Sequence, residues 1–255
     1  MKRVRIIPVL TIDHEKLVKT TQFKKPNYIG DPINAVKIFN EKEVDEVVLL
    51  DITATKQNRV PNYNKIEEIA SEAFMPFAYG GGIKTLDQIE HLFKLGIEKI
   101  VLNSILGQDL ALITSASKIF GSQSIVASVD IKKGLFGKQA AYTQSGTKKI
   151  KTPLIDYIKT IEEKGAGELF INSIDLDGTY SGYDLPTLDA ISKHTNIPIV
   201  ACGGARNTSD FLSAIQSGAS AVAAGSMFVY QGAQKGILIN YPSQDKLLEE
   251  IYSKL

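Results

Sequence analysis

The feature that most constrains the fold of this chain is a repeat between its two halves. The segment "MPFAYGGGIKTLDQIEHLFKLGIEKIVLNSI" aligns with "IPIVACGGARNTSDFLSAIQSGASAVAAGSM". Gly82 then falls on Gly204 and Ser104 on Ser226, at an offset of 122 residues in both pairs. Just upstream, "LLDITAT" aligns with "INSIDLDGT". A unit repeated at this spacing predicts a structure of two similar halves.

Each half alternates short apolar runs with amphipathic segments. The apolar runs lack polar alternation, which is typical of parallel strands buried on both faces. Helical spacing lies between them, as in "LDQIEHLFKLG", which ends at the C-cap signal Gly96. About eight such alternations favour a (β/α)8 TIM barrel of two similar half-barrels over a doubly wound sheet. The predicted strands are Arg5–Leu10, Glu46–Asp51, Pro76–Tyr79, Lys99–Asn103, Ser124–Asp130, Glu168–Asn172, Pro198–Cys202 and Ala221–Ala224.

The composition indicates one ordinary globular domain. No linker or low-complexity stretch divides the chain, so we expect a single barrel over residues 1–255, with half-barrels at about 1–120 and 121–255. The net charge of +1 gives no sign of a nucleic-acid partner or of an acidic membrane surface. The N-terminus has no signal-peptide pattern, and no apolar run approaches the roughly 20 residues of a membrane span. The single Cys202 fits a reducing compartment, so we expect a cytoplasmic protein.

Two glycine-rich turns predict anion binding. "YGGGIKT" and "CGGARNT" each follow a predicted strand and open a predicted helix. Backbone N–H groups of such a turn approach an anion closely, and the helix N-terminus favours negative charge. Asn103-Ser104 and Gly225-Ser226 come one βα unit later and complete each cradle. We therefore expect two phosphate sites across the barrel mouth and an elongated ligand with an anion at each end. The alternative is two structural turns.

Carboxylates follow several predicted strands, whose carboxyl ends face the active site of a barrel. Asp130, after "IVASV", is the best candidate for a general acid/base, because burial and neighbouring carboxylates raise a carboxyl pKa. A helix N-cap or a loop hydrogen bond is the alternative for each of these residues. The carboxylates are Asp51, Asp130, Asp175 and Asp177.

The counterpart of Asp130 in the first half is not a carboxylate. Aligning "IIPVLTID" with "SIVASVDIK" puts Leu10 on Val129 and Thr11 on Asp130, at an offset of 119 residues. Asp13 shares a side of the strand with Thr11 but lies about 6–7 Å further out. General acid catalysis needs hydrogen-bond reach, so a carboxylate moved that far is not equivalent.

Four charged residues begin predicted strands and would lie at the opposite end of the barrel. Ordinary polar strand ends are one interpretation. Two cations and two anions around one barrel end could also close into a salt-bridge ring that plugs or gates it. The residues are Arg5, Glu46, Lys99 and Glu168.

Together these residues resemble the cyclase subunit of imidazole glycerol phosphate synthase, the HisF family. The resemblance runs to about Phe228 and rests on "RIIPVL", "GDPINAVKIFNEKEVDEVVLLDITA", "YGGGIKT", "EKIVLNS", "FGSQSIVASVDIKK", "GAGELFINSIDLDGTYSGYDL" and "IPIVACGGA". It implies a barrel whose N-terminal face docks a glutamine amidotransferase (glutaminase) subunit. Ammonia would pass up the barrel to a doubly phosphorylated ribonucleotide, which is cyclised and cleaved.

The resemblance also implies roles for residues by position. Asp130 would be the catalytic acid/base, Asp51 would contact substrate, and Lys19 would lie on a mobile loop over the site. One phosphate would be held by Gly82, Asn103 and Ser104. The other would be held by Asp177, Gly178, Gly204, Gly225 and Ser226. The four charged residues at the strand starts match the family's ammonia gate.

Several departures from the family pattern are specific. The family's first catalytic aspartate falls on Thr11, its Asp-Gly-Arg on His14-Glu15-Lys16, and the glycine after the loop lysine on Thr20. The link "VYQGAQKGILINYPS" is longer than usual. These changes resemble a divergent branch associated with glycosyl amidation in surface-polysaccharide and lipopolysaccharide synthesis. There a HisF-like barrel and its glutaminase supply ammonia for an amidino sugar.

Three functions are compatible with this pattern. The favoured one is the divergent branch, because Thr11 stands beside an intact gate. The second is a working cyclase of histidine biosynthesis, with Asp13 or a water replacing the missing carboxylate. The third is a non-catalytic activator of a glutaminase.

No cofactor or metal site is implied. His14, His91 and His194 are far apart in the sequence. We interpret Cys202 as a small strand residue and not as a nucleophile, and Lys24-Lys25 and Lys148-Lys149 as solvated loops.

Overall fold

Strands and helices alternate along the chain as the apolar pattern predicts. The computed structural model describes residues 3–134, 137–232 and 234–255. The strands are β1 (Arg5–Asp13), β2 (Lys16–Thr21), β3 (Lys24–Gly30), β4 (Val47–Asp51), β5 (Phe77–Gly80), β6 (Lys99–Leu102), β7 (Ile125–Lys133), β8 (Gln139–Thr143), β9 (Lys148–Lys149), β10 (Glu168–Ser173), β11 (Ile199–Cys202), β12 (Ala221–Ala224), β13 (Tyr230–Gln231) and β14 (Gly236–Ile237). The helices are α1 (Pro32–Glu41), α2 (Tyr63–Ala70), α3 (Leu86–Lys94), α4 (Ala111–Phe120), α5 (Leu154–Glu163), α6 (Leu185–Ser192), α7 (Thr208–Gln216), α8 (Ser226–Val229) and α9 (Gln244–Glu250).

Eight parallel strands close into a barrel. Their order is β1, β4, β5, β6, β7, β10, β11 and β12, and β12 pairs with β1 to complete the circle. Helices lie between the strands in sequence, so the predicted (β/α)8 TIM barrel is confirmed. All eight predicted strands are present, but β1 and β7 run three residues past their predicted ends at Leu10 and Asp130. Each extension pairs with an antiparallel hairpin strand outside the barrel.

Alternation along the strands divides the apolar residues into two layers. On β1, Ile6 and Leu10 pack outward against the helices, whereas Ile7 and Val9 point into the barrel. The interior layer is apolar and consists of Ile7, Val9, Val48, Ala78, Val101, Val126, Phe170, Val200, Cys202, Ala221 and Ala223. Thr11 follows Val9 on the inward side, at the carboxyl end of the barrel.

The sequence repeat recurs in the backbone. Thr85 caps α3 in a capping box with Gln88, and Asn207 caps α7 in a capping box with Asp210. Both residues of the second box lie 122 positions after those of the first. Each box satisfies N–H groups that the first helical turn leaves unpaired. Similar local interactions therefore begin the corresponding helix of each half.

Antiparallel hairpins cover the mouth at corresponding places. β2 and β3 follow barrel strand β1, whereas β8 and β9 follow barrel strand β7. The segment expected to be a mobile loop is thus a two-stranded hairpin, and Lys19 lies on its first strand. The long link after β12 contains a further short hairpin, β13 and β14. Among the described residues, no helix is both long and apolar enough to cross a membrane.

Candidate active site

A cavity opens at the carboxyl ends of the barrel strands. The predicted site residues that line it are Thr11, Lys19, Asp51, Gly82, Asn103, Ser104, Asp130, Asp177 and Gly225. Asp13, Gly178, Gly204 and Ser226 are absent from this lining, as far as the described residues show. The residues from both halves therefore meet, but those of the second half reach the cavity less completely.

Asp130 is a buried acid of this cavity. It ends the inward face of β7, and its Oδ2 lies 3.2 Å from the Nδ2 of Asn103. Burial, followed by the negative charge of Asp177, raises its pKa to about 7, although the side-chain amides of Asn103 and Asn172 lower it. A carboxyl group that titrates near neutrality can both give and take a proton at physiological pH.

The sequence pattern did not single out Asn172, which is a further residue of the site. Asn172 lies on β10, lines the cavity, and is the Cα partner of Asp130 on β7. Its side-chain amide lowers the pKa of the Asp130 carboxyl. Its counterpart in the first half is Leu50, an apolar residue, so the sequence repeat did not mark this position as part of a site. Only the register of the two strands reveals this residue.

Thr11 occupies the place that corresponds to Asp130, on the other side of the mouth. Its hydroxyl donates to the carbonyl of Val18 on β2. Its Cα partner on β4 is Leu50. The pair Thr11 and Leu50 therefore stands where the second half has a carboxylate and an amide.

Asp13 is bound at the edge of the mouth. It accepts a hydrogen bond from the Thr53 hydroxyl at 2.8 Å and lies 2.8 Å from the Nδ1 of His14. Partial burial raises its pKa, but the hydrogen bonds from Thr53 and His14 outweigh this and lower the pKa below its ordinary value. Such a carboxylate is held in its ionised form, which does not suit a general acid.

Lys19 is buried in the wall of the cavity. Its Nζ donates to the carbonyl of Val9 at 2.6 Å. Burial lowers its pKa to about 8, against the opposing effect of Asp177 and Cys202. A Cβ at Gly225 would lie 2.5 Å from this nitrogen. Glycine at 225 therefore makes room for the ammonium group.

Asp51 lines the cavity, and its carboxylate accepts hydrogen bonds from residues of the following loop. It accepts from the backbone N–H of Thr53 at 3.0 Å and of Ala54 at 2.9 Å. Arg59 adds a salt bridge at 3.0 Å. These loop hydrogen bonds were the alternative interpretation of Asp51, and they are present.

The glycine-rich loops of the two halves, which were predicted to bind anions, have different neighbours. Gly82, at φ 72°, opens onto the cavity together with Asn103 and Ser104. In the second half, a Cβ at Gly178 would lie 2.7 Å from the carbonyl oxygen of Thr20 on the β2–β3 hairpin.

The same hairpin covers Asp177. The backbone N–H of Gln22 donates to the Asp177 carbonyl at 2.9 Å. Burial raises the pKa of the Asp177 carboxyl to about 6, although Lys19 lowers it. Tyr180 donates its hydroxyl to the carbonyl of Ser226 at 3.2 Å. The hairpin and Tyr180 thus lie against the second-half loops.

A closed ring of charges lies at the opposite end of the barrel. Arg5 forms salt bridges with both Glu46 and Glu168. The Nζ of Lys99 lies 2.9 Å from Glu46 and 3.1 Å from Glu168. Both glutamates are buried, at 3% and 5% exposure. The four charges alternate in sign around the barrel axis, as the ring interpretation predicts.

Other candidate chemistry finds no support in the described ranges. No group of three or more His, Cys, Asp or Glu side chains in them is arranged to hold a metal ion. Burial raises the pKa of the Cys202 thiol well above its ordinary value, which keeps the thiol protonated and unreactive.

Comparison with known proteins places this geometry among related chains. A family model described as "Histidine biosynthesis protein" matches residues 5–235. A Pseudomonas aeruginosa protein named "Putative imidazole glycerol phosphate synthase subunit hisF2" is 47% identical over 97% of this chain and 99% of its own length. A Vibrio vulnificus protein with the same name, numbered hisF3, is 46% identical over 95% of this chain and 94% of its own. The imidazole glycerol phosphate synthase subunit HisF of Petrotoga mobilis is 40% identical over 89% of this chain and 90% of its own.

Proposed function

The chain belongs to the histidine biosynthesis protein family, as a barrel of the HisF type, and we propose that it works as the ammonia-receiving subunit of a glutamine amidotransferase complex. The partner would be a glutaminase docked on the face that carries the charge ring. We place this complex in the cytoplasm, where a free thiol such as Cys202 stays reduced.

The charge ring supports passage of ammonia through the barrel. Arg5, Glu46, Lys99 and Glu168 close the amino end of the strands, and the apolar interior layer begins directly above them. A neutral ammonia molecule crosses an apolar layer far more easily than an ammonium ion does, because a charge is costly to bury. The ring would therefore serve as the gate, and the layer above it as the filter.

The cavity at the other end would hold a phosphorylated small molecule. Gly82, Asn103 and Ser104, which line the cavity, would form the first cradle. The second would consist of Asp177, Gly178, Gly204, Gly225 and Ser226, with Lys19 and Asp51 in the cavity wall. Asp130 would accept a proton from the incoming nitrogen or return one, since its pKa is about 7.

The favoured reaction is glycosyl amidation in surface-polysaccharide synthesis, and not the cyclase reaction of histidine biosynthesis. The observation that carries this proposal is a difference between two cross-strand pairs. Thr11 pairs with Leu50 on one side of the mouth, whereas Asp130 pairs with Asn172 on the other. One acid remains where the repeat calls for two. The numbered names hisF2 and hisF3 of two relatives agree with a branch of additional family members.

Turnover of the histidine-pathway substrate tests this proposal. The purified chain, supplied with ammonium and that substrate, should form no imidazole glycerol phosphate. With a glutaminase partner and a sugar acceptor that yields an amidino sugar, ammonia incorporation should depend on Asp130. Cyclase turnover at a rate ordinary for such enzymes would overturn the proposal.

A working cyclase is the second candidate, favoured by the 40% identity to the Petrotoga mobilis HisF. Rescue of a histidine auxotroph that lacks its own cyclase would support it. Loss of that rescue in Asp13→Ala would assign the missing acid to Asp13. If Asp130→Asn left pathway output unchanged, a third function, non-catalytic activation of the glutaminase, would stand instead.

A further inference from the structure

A second cavity lies beside the mouth, on the side of the first half. Its walls are the turn between β1 and β2 and the loop that leads from β4 into α2. Its volume of about 730 Å³ falls within the roughly 300–1,000 Å³ that is usual for small-molecule sites. The turn is His14-Glu15-Lys16, a segment that departs from the family pattern and that the proposed function does not use.

The second cavity shares a wall with the cavity of the mouth. Asp51 lines the mouth, and Arg59, which lines the second cavity, forms a salt bridge to it at 3.0 Å. The backbone of this wall also backs the first cradle, since a Cβ at Gly82 would lie 2.7 Å from the Arg59 carbonyl oxygen. At this point one ion pair separates the two cavities, so ligands held in them would be close neighbours.

The charges around the second cavity balance locally. Arg59 is paired with Asp51, and the Nδ1 of His14 lies 2.8 Å from the carboxylate of Asp13. The adjacent pair Glu15-Lys16 carries one charge of each sign. A surplus of positive charge, which would attract a phosphate or a carboxylate, is therefore not built into these walls. The balance favours a neutral ligand.

The walls offer both donors and acceptors to such a ligand. Among the described residues, four of the five N–H groups of Arg59 donate within the protein, which leaves one. The Glu15 carboxylate accepts from the Nδ2 of Asn62 at 3.3 Å through one oxygen and keeps the other. The exposed amide of Asn64 can donate and accept. A hydroxyl group also does both, so this mixed set matches a polyhydroxylated molecule.

Tyr63 supplies a flat surface in the same cavity. Its ring stacks on the ring of His91, with the centroids 4.1 Å apart and an interplanar angle of 16°. The stack covers one face of the tyrosine and fixes the ring, so the opposite face is the one left for a ligand. The C–H groups on one side of a sugar ring carry partial positive charge and pack well on the negative face of an aromatic ring.

We propose that the second cavity is a saccharide subsite that binds a neutral sugar unit. The sugar ring lies on Tyr63, and its hydroxyl groups bond to Glu15, Arg59 and Asn64. The acceptor is then an oligosaccharide, with the unit that receives nitrogen in the mouth and a neighbouring unit in the second cavity. This extended acceptor rests on the proposed glycosyl amidation.

Saturation-transfer nuclear magnetic resonance of the whole chain tests the subsite. The probes are the methyl glycosides of glucose, galactose and mannose and of their N-acetylated 2-amino derivatives. At least one of these neutral sugars should bind at millimolar concentration and receive saturation through the C–H groups of one ring face. Binding of none of them would overturn the proposal.

Matched variants locate the bound sugar. Tyr63→Ser should weaken binding about tenfold, because the stacking surface is lost. Tyr28→Ser is the control, since Tyr28 is 63% exposed and lines neither cavity. Unchanged binding in Tyr63→Ser would contradict the stacking role.

A bulky side chain at the exposed Asn64 tests the same cavity without removing Tyr63. Asn64→Trp should abolish sugar binding, because the indole fills the cavity. Glu67→Trp, at another exposed position of α2 outside the lining, should leave binding intact. This pair decides the question if Tyr63→Ser does not fold. Equal binding in both tryptophan variants would place the sugar elsewhere and overturn the proposal.

Inorganic phosphate distinguishes a sugar site from an anion site. Phosphate should leave the saturation transfer to the sugar unchanged, since the walls carry no surplus positive charge. Displacement of the sugar by phosphate would show that the second cavity binds anions, and the saccharide assignment would fail.

These measurements do not depend on the reaction in the mouth. If the chain turns over the histidine-pathway substrate, the proposed function fails, while a sugar lost in Asn64→Trp still identifies the subsite. If ammonia incorporation depends on Asp130 but none of the sugars binds, only the subsite fails.

Discussion

Lys19 and Asn103 fill corresponding places on the two sides of the barrel mouth. The Nζ of Lys19 donates to the carbonyl of Val9 at 2.6 Å, and the Nδ2 of Asn103 donates to the carbonyl of Ser128 at 3.0 Å. Val9 precedes Thr11 as Ser128 precedes Asp130 in the repeat. The sequence counterpart of Asn103 is Gly225. Because Gly225 has no side chain, the ammonium of Lys19 occupies the space where that side chain would lie. Beside Thr11, a cation from the hairpin therefore stands where the repeat has an amide beside Asp130.

Gly225→Ala should be destabilising because of Lys19. The new Cβ would lie 2.5 Å from Nζ and 3.4 Å from the Val9 carbonyl. We expect a loss of about 1–3 kcal/mol in the free energy of unfolding, measured with urea. Lys19→Ala should relieve most of this loss, with a coupling of about 1 kcal/mol or more in the double-mutant cycle. Gly236→Ala, where the nearest atom is at 3.6 Å, is the control. Equal losses with and without Lys19 would contradict the steric explanation.

Asp130 should make the stability of the chain depend on pH. Its folded-state pKa of about 7 lies above the ordinary value of 3.8. Between these values the folded state binds more protons than the unfolded state, so stability falls as pH rises through that window. Relative to Asp130→Asn, the wild type should lose on the order of 3 kcal/mol between pH 5 and pH 8. Urea unfolding at the two pH values measures this. A constant difference would mean that Asp130 is ionised throughout.

The free energy of unfolding should depend on the balance of positive and negative charge in the ring. Arg5→Met leaves two buried glutamates with Lys99 as their common cation, and should cost about 3 kcal/mol of unfolding free energy. Adding Glu168→Gln should recover much of this loss, because it removes the surplus negative charge. Lys37→Met breaks an exposed salt bridge to Glu72 and should change stability by less than about 1 kcal/mol. A double variant that is less stable than Arg5→Met would contradict a balance of charge.

Asp130 and Asp13, the two candidates for the acid, should differ in their effect on activity. With ammonium as nitrogen source, Asp130→Asn should lower the rate of product formation by about 10²–10⁴-fold, the usual contribution of a general acid/base. Asp13→Ala should lower this rate far less, because Asp13 is bonded to Thr53 and His14 outside the cavity lining. Initial rates at neutral pH provide the comparison. Similar losses in both variants would return Asp13 to the candidates for the second acid.

The barrel was predictable because its signals are periodic and repeated. Unbroken apolar runs mark the buried strands, and the 122-residue offset marks the two halves. The four ring residues were predictable for the same reason, since every parallel strand begins at one end of the barrel. The hairpin that carries Lys19 was not, because β3 contains Pro26 and mostly exposed polar residues. Asn172 depends on the register between β7 and β10, which one sequence does not reveal.

The charge ring also draws its four residues unequally from the two halves. Arg5, Glu46 and Lys99 belong to the first half of the chain, and Glu168 alone belongs to the second. A barrel of two first halves would bring four cations against two anions, and a barrel of two second halves would lack the cations. The two halves therefore share a backbone arrangement but do not share the charges of the ring. Each half depends on the other for a ring of balanced charge.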